Sequence, residues 1–165
     1  MNNIKFQIID PNELPGEWRS TERPSPYFGL TQDKMEESLS FLQNGEEIVI
    51  NKPSIRVEFN YPLAKEHILE LVPCDGNHYF TRATLAKTIA LKYQEIYQEE
   101  KNTTTLPIES VADRTSSGGN RGCMLMNRAH TDGVWGIWGH DLSDLDLHTV
   151  SYHAPEDVYT LGIDS

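Results

Sequence analysis

Residues 81–100, TRATLAKTIALKYQEIYQEE, decide the fold of this chain. Their large apolar residues recur at helical spacing and form one stripe. The stripe consists of Leu85, Ile89, Tyr93, Ile96 and Tyr97. Thr81 precedes it with a hydroxyl that can cap the first turn. The pattern predicts an amphipathic helix over residues 82–100, with both tyrosines at the edge of the core.

A second, shorter helix is predicted nearer the N-terminus. Thr31 offers another N-cap hydroxyl, and residues 32–44 follow it, with Gly45 just past the end. Their apolar residues Met35, Leu39 and Leu42 also have helical spacing. Because a helix with one apolar face must bury it, both helices require a sheet or another helix to pack on.

Strand patterns lie between the two helices. Residues 46–50 and 54–61 flank Asn51-Lys52-Pro53, and the second segment alternates apolar and polar side chains. We therefore expect a hairpin whose second strand is half-buried. Residues 68–72 are typical of another strand, although residues 64–70 are also compatible with the start of a helix.

Four more strands are predicted after the long helix. They cover residues 123–126, 134–138, 145–152 and 158–163. The last two form a hairpin around the turn at residues 154–157. Before them, Asp141 and Asp144 have the spacing of an acidic capping box around one helical turn.

The fold class that these elements predict is α+β. The chain of 165 residues is expected to form a single domain, a mainly antiparallel sheet packed against the long helix and the shorter one. Residues 1–31 are interpreted as an extended wrapping segment because proline and glycine recur among polar residues. Residues 102–122, rich in small and polar side chains, are interpreted as a flexible loop.

The charge of the chain constrains its partners. Twenty-five acidic residues against 14 basic ones give a net charge of −11, which disfavours binding to nucleic acid or anionic membranes. The charge leaves open an acidic protein that mimics nucleic acid. No apolar run predicts a signal peptide or a membrane span. The two isolated cysteines, Cys74 and Cys123, favour a reducing compartment, and hence a cytoplasmic protein.

Two blocks of sequence resemble a family of proteins of unknown activity. One is Phe80-Thr81-Arg82 with the helix that ends in YQEIYQEE at residues 93–100, and the other is GIWGHDL at residues 136–142. The resemblance covers roughly the C-terminal half of the chain. It implies no activity and therefore assigns no functional residue.

Histidine and aspartate are concentrated near the C-terminus. His130, His140, His148 and His153 alternate with Asp132, Asp141, Asp144 and Asp146. Imidazole and carboxylate are ligands of zinc and related metals, so a site of His130, Asp132 and His140 is one hypothesis. Strict alternation along a strand, however, points His148 and His153 to opposite faces. We therefore predict no cofactor, with a divalent metal as the alternative.

Three arginines and two tryptophans complete the candidate ligand-binding residues. Arg114, Arg121 and Arg128 flank or follow a Ser/Gly-rich stretch that can hold a phosphate or carboxylate through backbone N–H groups. Trp135 and Trp138 stand among glycines and supply flat contact area. Beside them His140 and Asp141 form a pair. In the simpler alternatives the stretch is a linker, the indoles belong to the core and Asp141 is a cap.

No complete catalytic motif accompanies these candidates. The sequence has neither G-x-S-x-G nor a phosphate-binding glycine motif of the P-loop or dinucleotide type. We therefore predict an interaction or binding module whose partner is a protein or a small anionic ligand. The alternative is a metal- or phosphate-handling hydrolase that uses the C-terminal His/Asp cluster and the Arg121 loop.

Overall fold

The computed structural model of the protein describes residues 3–9, 26–110, 112 and 126–165. It contains two α-helices, α1 (Gln32–Phe41) and α2 (Arg82–Thr103), and a 3₁₀ helix at Leu142–Asp144. The strands are β1 (Asn3–Lys5), β2 (Phe28–Gly29), β3 (Ile48–Ile50), β4 (Ile55–Phe59), β5 (His67–Leu71), β6 (Phe80–Thr81), β7 (Asp146–His153) and β8 (Val158–Asp164).

One main sheet organises these strands. Its order is β1-β7-β8-β4-β5, and β2 pairs with β7 as well. All these pairs are antiparallel except β4 with β8. The predicted α+β class, with a mostly antiparallel sheet and one long and one shorter helix, is confirmed. Within the described part of the chain, we find no helix of the length and apolarity that a bilayer crossing requires.

The long helix α2 packs on this sheet through the predicted stripe. All five residues of the stripe are buried, and the ring of Tyr93 lies 5.2 Å from that of Phe59 on β4. The hydroxyl of Thr81 accepts a hydrogen bond from the N–H of Thr84, which confirms the predicted cap. The helix continues to Thr103, three residues beyond the predicted end.

The shorter helix α1 begins as predicted but ends early. Thr31 caps it, yet helical backbone stops at Phe41 instead of continuing to residue 44. The carbonyl of Phe41 accepts a hydrogen bond from the N–H of Ile9, and the N–H of Gln43 donates to the carbonyl of Gln7. Pairing with a distant segment has replaced the last helical turn.

The predicted hairpin of residues 46–50 and 54–61 is wrong. β3 pairs with β6, the short strand that leads into α2, whereas β4 lies between β5 and β8. Next to β3, Glu47 binds Arg82 twice, through its carbonyl to the backbone N–H and through its carboxylate to the guanidinium at 2.6 Å. These contacts fix β3 to the start of α2. The strand interpretation of residues 68–72 is confirmed by β5.

Other segments depart from the predictions or fall outside the description. β1 and β2 lie along β7, so the described ends of the segment 1–31 contain strands, while residues 10–25 are outside the described residues. The predicted strand at 134–138 is only an isolated bridge at Ile137. Residues 102 and 103 belong to α2, and most of the remaining predicted loop is not described.

The C-terminal hairpin matches its prediction, but β7 does not alternate strictly. Its register against β8 shifts between Leu147 and Thr149, so that an extra residue is inserted. As a result Leu147 and Val150, which strict alternation would place on opposite faces, are both fully buried. The bulge also changes where the histidines of β7 point.

Candidate functional site

The loop of residues 131–138 is anchored to the end of α2 by the carboxylate of Glu100. This side chain lies on the last turns of the helix and is 0% exposed. Its oxygens accept hydrogen bonds from four backbone N–H groups of the loop. The donors are the N–H groups of Gly133, Trp135, Gly136 and Ile137, at 2.8, 2.9, 3.1 and 3.4 Å. One helix side chain therefore fixes the path of the whole loop.

The ionised form of Glu100 is the one that this loop stabilises. Burial raises the pKa of Glu100, but the hydrogen bonds that its carboxylate accepts, foremost from the N–H of Trp135 and also from those of Gly133 and Gly136, together outweigh this effect. The pKa of Glu100 therefore lies below its usual value. Charge-assisted hydrogen bonds of this kind are stronger than neutral ones.

The loop also holds the chain that follows α2, through Asp132. Its carboxylate accepts hydrogen bonds from the hydroxyl of Thr104 at 2.9 Å and from the hydroxyl and N–H of Thr105 at 2.5 and 2.8 Å. The N–H of Leu106 adds a fourth bond. We call the contacts of Glu100 and Asp132 together the double clasp. It makes residues 131–138 a loop of fixed shape on the end of the helix.

Acid is expected to loosen the double clasp. Hydrogen bonds from Thr105 and Thr104 hold the pKa of Asp132 well below its usual range. Because the unfolded chain then binds more protons, the stabilisation is present above the unfolded-state pKa and is lost as pH falls through the folded-state pKa. We expect the urea midpoint to fall between about pH 5 and pH 2.5, and to fall less in Asp132→Asn.

Circular dichroism during urea titration at several pH values measures this effect. The matched control is Glu37→Gln, which removes one exposed charge from α1 and leaves the double clasp intact. The role of Asp132 is contradicted if Asp132→Asn loses as much stability in acid as the wild type and Glu37→Gln do.

Residues 135–138 then run antiparallel to the turn between β4 and β5. The N–H of Ala64 donates to the carbonyl of Gly136 at 2.7 Å, and the N–H of Trp138 donates to the carbonyl of Pro62 at 3.1 Å. Leu63 and Ile137 form an isolated bridge between them, and both are buried. The loop is therefore held between α2 and the sheet.

This geometry places five aromatic and imidazole side chains along the docked loop and its neighbouring turn. Trp138 packs edge-on against Tyr61, with ring centroids 5.3 Å apart, and His140 lies 5.7 Å from Tyr61 and 6.2 Å from Trp138. Trp135 packs edge-on against His67 at 4.6 Å. All five are partly exposed. We call Tyr61, His67, Trp135, Trp138 and His140 the aromatic surface.

The polar atoms of its large rings are engaged within the protein. Trp135 Nε1 donates to Glu99 at 2.8 Å, Trp138 Nε1 donates to the carbonyl of Leu63 at 3.3 Å, and the hydroxyl of Tyr61 lies 2.9 Å from that of Ser165. These bonds fix the orientation of the rings. The apolar faces and edges are what remains for a partner.

Arg128 serves the scaffold behind this surface. Its side chain is 4% exposed, and its guanidinium lies over the ring of Tyr97 at 5.3 Å from the ring centre. It donates to the hydroxyl of Thr131 at 3.3 Å and lies 3.7 Å from the carboxylate of Asp141. The predicted ligand-binding residues Arg128 and Asp141 are thus brought together as an ion pair with each other, in which Arg128 is buried and the side chain of Asp141 is 46% exposed. Arg114 and Arg121 lie outside the described residues.

The histidine and aspartate residues of the metal hypothesis have other partners. The carboxylate of Asp132 is occupied by the double clasp, His130 is exposed, and His140 lies in the aromatic surface. Across the residues that the structure describes, no three His, Cys, Asp or Glu side chains are grouped so as to hold a metal ion.

The expectation that His148 and His153 point to opposite faces of β7 is wrong. The bulge after Leu147 turns His148 over Gly162 of β8, while His153 Nε2 lies 2.9 Å from the hydroxyl of Thr160. Gly162 and Thr160 are two residues apart on one strand and so share a face. Both imidazoles therefore lie on the sheet face that carries Thr160 and Gly162.

Three residues of the site carried a weak signal or none. Tyr61 lies at the end of the segment 54–61 that is predicted as a strand, and His67 belongs to no motif. Glu100 carries a weak signal, because an acidic residue in the last turns of a helix opposes the helix dipole, but the sequence does not identify the N–H donors that it binds. The three threonines that follow at 103–105 are the residues that Asp132 and Val134 contact.

A comparison with the models of known protein families, with characterised proteins and with solved structures finds no match. The geometry of the site is therefore the basis of the functional argument.

Proposed function

We propose that the protein is a binding module for a protein partner, with the aromatic surface as its contact and no catalytic centre of its own. The observation that carries this proposal is a pair of partly exposed indoles on a loop fixed by the double clasp, packed against Tyr61, His67 and His140. Tryptophan and tyrosine dominate the energetic centres of protein interfaces.

The rigidity of the loop supports the proposal. A partner that docks on a mobile loop loses affinity because the loop must be ordered on binding. Here the four N–H groups bound by Glu100 and the backbone pairing with residues 61–64 order the loop beforehand. Little of the favourable contact free energy is then lost to ordering the loop on binding.

The chemistry of the exposed rings supports a protein partner over a small anion. The N–H donors of both indoles are already bonded, and Arg128 is buried against Tyr97. The surface therefore offers apolar contact area in place of free positive charge. Flat apolar area of this kind suits side chains of another protein.

Truncation of the indoles tests the proposal. We expect Trp138→Ala and Trp135→Ala each to weaken the affinity for the partner about tenfold to thirtyfold, the range of an interface hot spot. Partners captured from cells on wild-type protein are quantified against both variants, and the affinity of each captured partner is then measured by calorimetry.

The matched control is Tyr79→Ala, which removes a partly exposed aromatic ring away from the aromatic surface. Unchanged thermal unfolding in the tryptophan variants separates lost contact from lost fold. If folded Trp135→Ala and Trp138→Ala retain every partner of the wild type at full affinity, the aromatic surface is not the contact.

A further inference from the structure

Within the described part of the chain, strand β5 has no partner strand on one of its edges. Over residues 3–9, 26–110, 112 and 126–165, its backbone hydrogen-bonds to β4 alone. The register with β4 runs over five successive pairs without a shift. The outward row of N–H and C=O groups is therefore straight, and we call it the β5 edge.

Strand β5 lacks two of the usual protections of an exposed edge, a bulge and a proline. Proteins shield edges with bulges, prolines or charged side chains that point inward. The sequence HILEL at residues 67–71 contains no proline, and its pairing contains no bulge. On or next to the strand, Ile68 is 48% exposed and Val72 is 62% exposed. Such an edge can accept another strand.

The helix α2 runs beside β5 and is tied to it at both ends. The N–H of Cys74, just after β5, donates to the hydroxyl of Thr88 at 3.2 Å. At the other end Glu99 binds the indole of Trp135, which packs on His67 at the start of β5. Residues four apart on a helix share a face, so Glu95 lies between Thr88 and Glu99 on this side. The β5 edge thus continues into the aromatic surface.

The charge around the β5 edge is negative. Glu66 and Glu70 are exposed on or next to the strand, and Glu95 and Glu99 are exposed on the adjacent side of α2. The basic side chains nearby are Lys65, Lys92 and Arg56. Lys92 is already ion-paired with Glu95 at 2.6 Å, and Arg56, which lies opposite Glu70 on β4, donates to the carbonyl of Glu156 at 3.0 Å. The chain as a whole carries −11. A basic segment complements this edge electrostatically.

We propose that the β5 edge binds an extended, basic segment of a partner protein as an added strand. This inference rests on the proposed function and names its partner chemistry. Backbone hydrogen bonds to β5 supply affinity, as in other cases of strand addition. Because alternate residues of a strand share a face, Glu66, Ile68, Glu70 and Val72 lie on one face of the sheet. On that face basic side chains of the segment meet Glu66 and Glu70, and their aliphatic stems cover Ile68 and Val72. Apolar side chains on the other face of the segment lie beside Leu69.

A second copy of the protein is the less favoured occupant. Pairing of two β5 edges would bring together two chains that each carry −11, and would place the acidic residues of one edge near those of the other. Sedimentation of the protein alone decides this point. A concentration-dependent dimer that disappears in Ile68→Lys overturns the proposal of a basic partner.

The direct probe is an acetylated and amidated octapeptide that alternates valine and lysine. We expect it to bind at low salt, and to slow hydrogen exchange of backbone amides within His67–Leu71. The peptide of alternating valine and glutamate has the same length and apolar content, and we expect about tenfold weaker binding from it. Equal affinity for both peptides, or unchanged exchange in β5, overturns the proposal.

N-methylated peptides test the backbone pairing itself. Methyl groups on alternate residues block the hydrogen bonds of one edge of the peptide and leave the other edge intact. We expect one of the two alternately methylated valine–lysine peptides to lose binding about tenfold or more and the other to retain it. Binding of both within about twofold of the parent overturns strand addition.

Variants of the protein separate this inference from the proposed function. The double variant Glu66→Gln/Glu70→Gln is expected to lower the affinity for the valine–lysine peptide about fivefold to tenfold. The control Glu37→Gln/Glu46→Gln has the same net charge, and we expect it to leave that affinity unchanged. If Trp138→Ala loses cellular partners while neither peptide nor edge variant has any effect, the proposed function stands and the β5 inference fails. If β5 binds the peptide while the tryptophan variants retain all partners, the aromatic surface fails instead.

Discussion

Glu100→Ala is expected to lower the free energy of unfolding by about 4 kcal/mol, an exceptional loss for one substitution. The wild-type carboxylate is fully buried and accepts hydrogen bonds from four backbone N–H groups. Each buried donor left without an acceptor costs about 1–3 kcal/mol. The total is smaller than the sum of four because water can enter the vacated space and reach some of the donors.

Two further variants identify the cause of this loss of stability. Glu100→Gln keeps the shape of the side chain but replaces one acceptor oxygen with a donor, so we expect about half the loss of Glu100→Ala. Glu99→Gln is the matched control, because Glu99 is the exposed neighbour that accepts one indole N–H. Its expected loss is below about 1 kcal/mol.

Urea unfolding followed by far-ultraviolet circular dichroism gives the free energies. Near-ultraviolet circular dichroism reports the packing of Trp135 and Trp138, which we expect to loosen in Glu100→Ala even where the fold survives. A loss in Glu100→Ala no larger than that in Glu99→Gln contradicts the anchoring role.

The parts of the fold that the sequence predicts well are those with local causes. Helix α2 has a cap at Thr81 and an apolar stripe from Leu85 to Tyr97 that covers about three and a half turns, so local bonding and burial favour the same structure. The β7–β8 hairpin is likewise specified by two adjacent apolar segments and a short turn, in which Asp157 adopts a positive φ of 48°.

The failures have nonlocal causes. The partner of β3 is decided by contacts of Glu47 with Arg82, which are distant in the sequence, and not by the short connection to β4. The bulge in β7 leaves no mark in the alternation of residues 145–153, yet it moves both imidazoles to one face. The last turn of α1 is lost to pairing with residues 7–9.

Part of the candidate site was accessible from residue types alone. Trp135, Trp138 and His140 were candidates because of their chemistry, and the structure places Trp138 and His140 against Tyr61. Their supports, Glu100 and Asp132, were not recognised as anchors, since a carboxylate in a sequence of 25 acidic residues is unremarkable until its donors are known. The distances that make a surface depend on chain crossings that no local pattern encodes.

Gly136→Ala is expected to cost about 3 kcal/mol and to detach the aromatic surface from the sheet. Gly136 has a positive φ of 64°, which residues other than glycine rarely adopt. An added Cβ would also lie 2.7 Å from the Cβ of Ala64, in the turn to which the loop is paired. Relief of that overlap separates residues 135–138 from residues 61–64, so that Trp138 loses its contact with Tyr61.

Gly76→Ala isolates the backbone part of this cost. Gly76 has a φ of 78°, but a Cβ added there would meet nothing within 4 Å, so we expect a loss of about 1 kcal/mol. The loss of unfolding free energy in Gly136→Ala minus that in Gly76→Ala then measures the overlap with Ala64. In the double variant Gly136→Ala/Ala64→Gly we expect about 1–2 kcal/mol of this difference to be recovered. Thermal and urea unfolding of the wild type, Gly136→Ala, Ala64→Gly and their double variant complete the cycle, and Gly76→Ala is measured beside them. Equal losses in Gly136→Ala and Gly76→Ala, without recovery in the double variant, would mean that the loop does not depend on its close approach to Ala64. The aromatic surface would then lack the rigid support from which its binding role is argued.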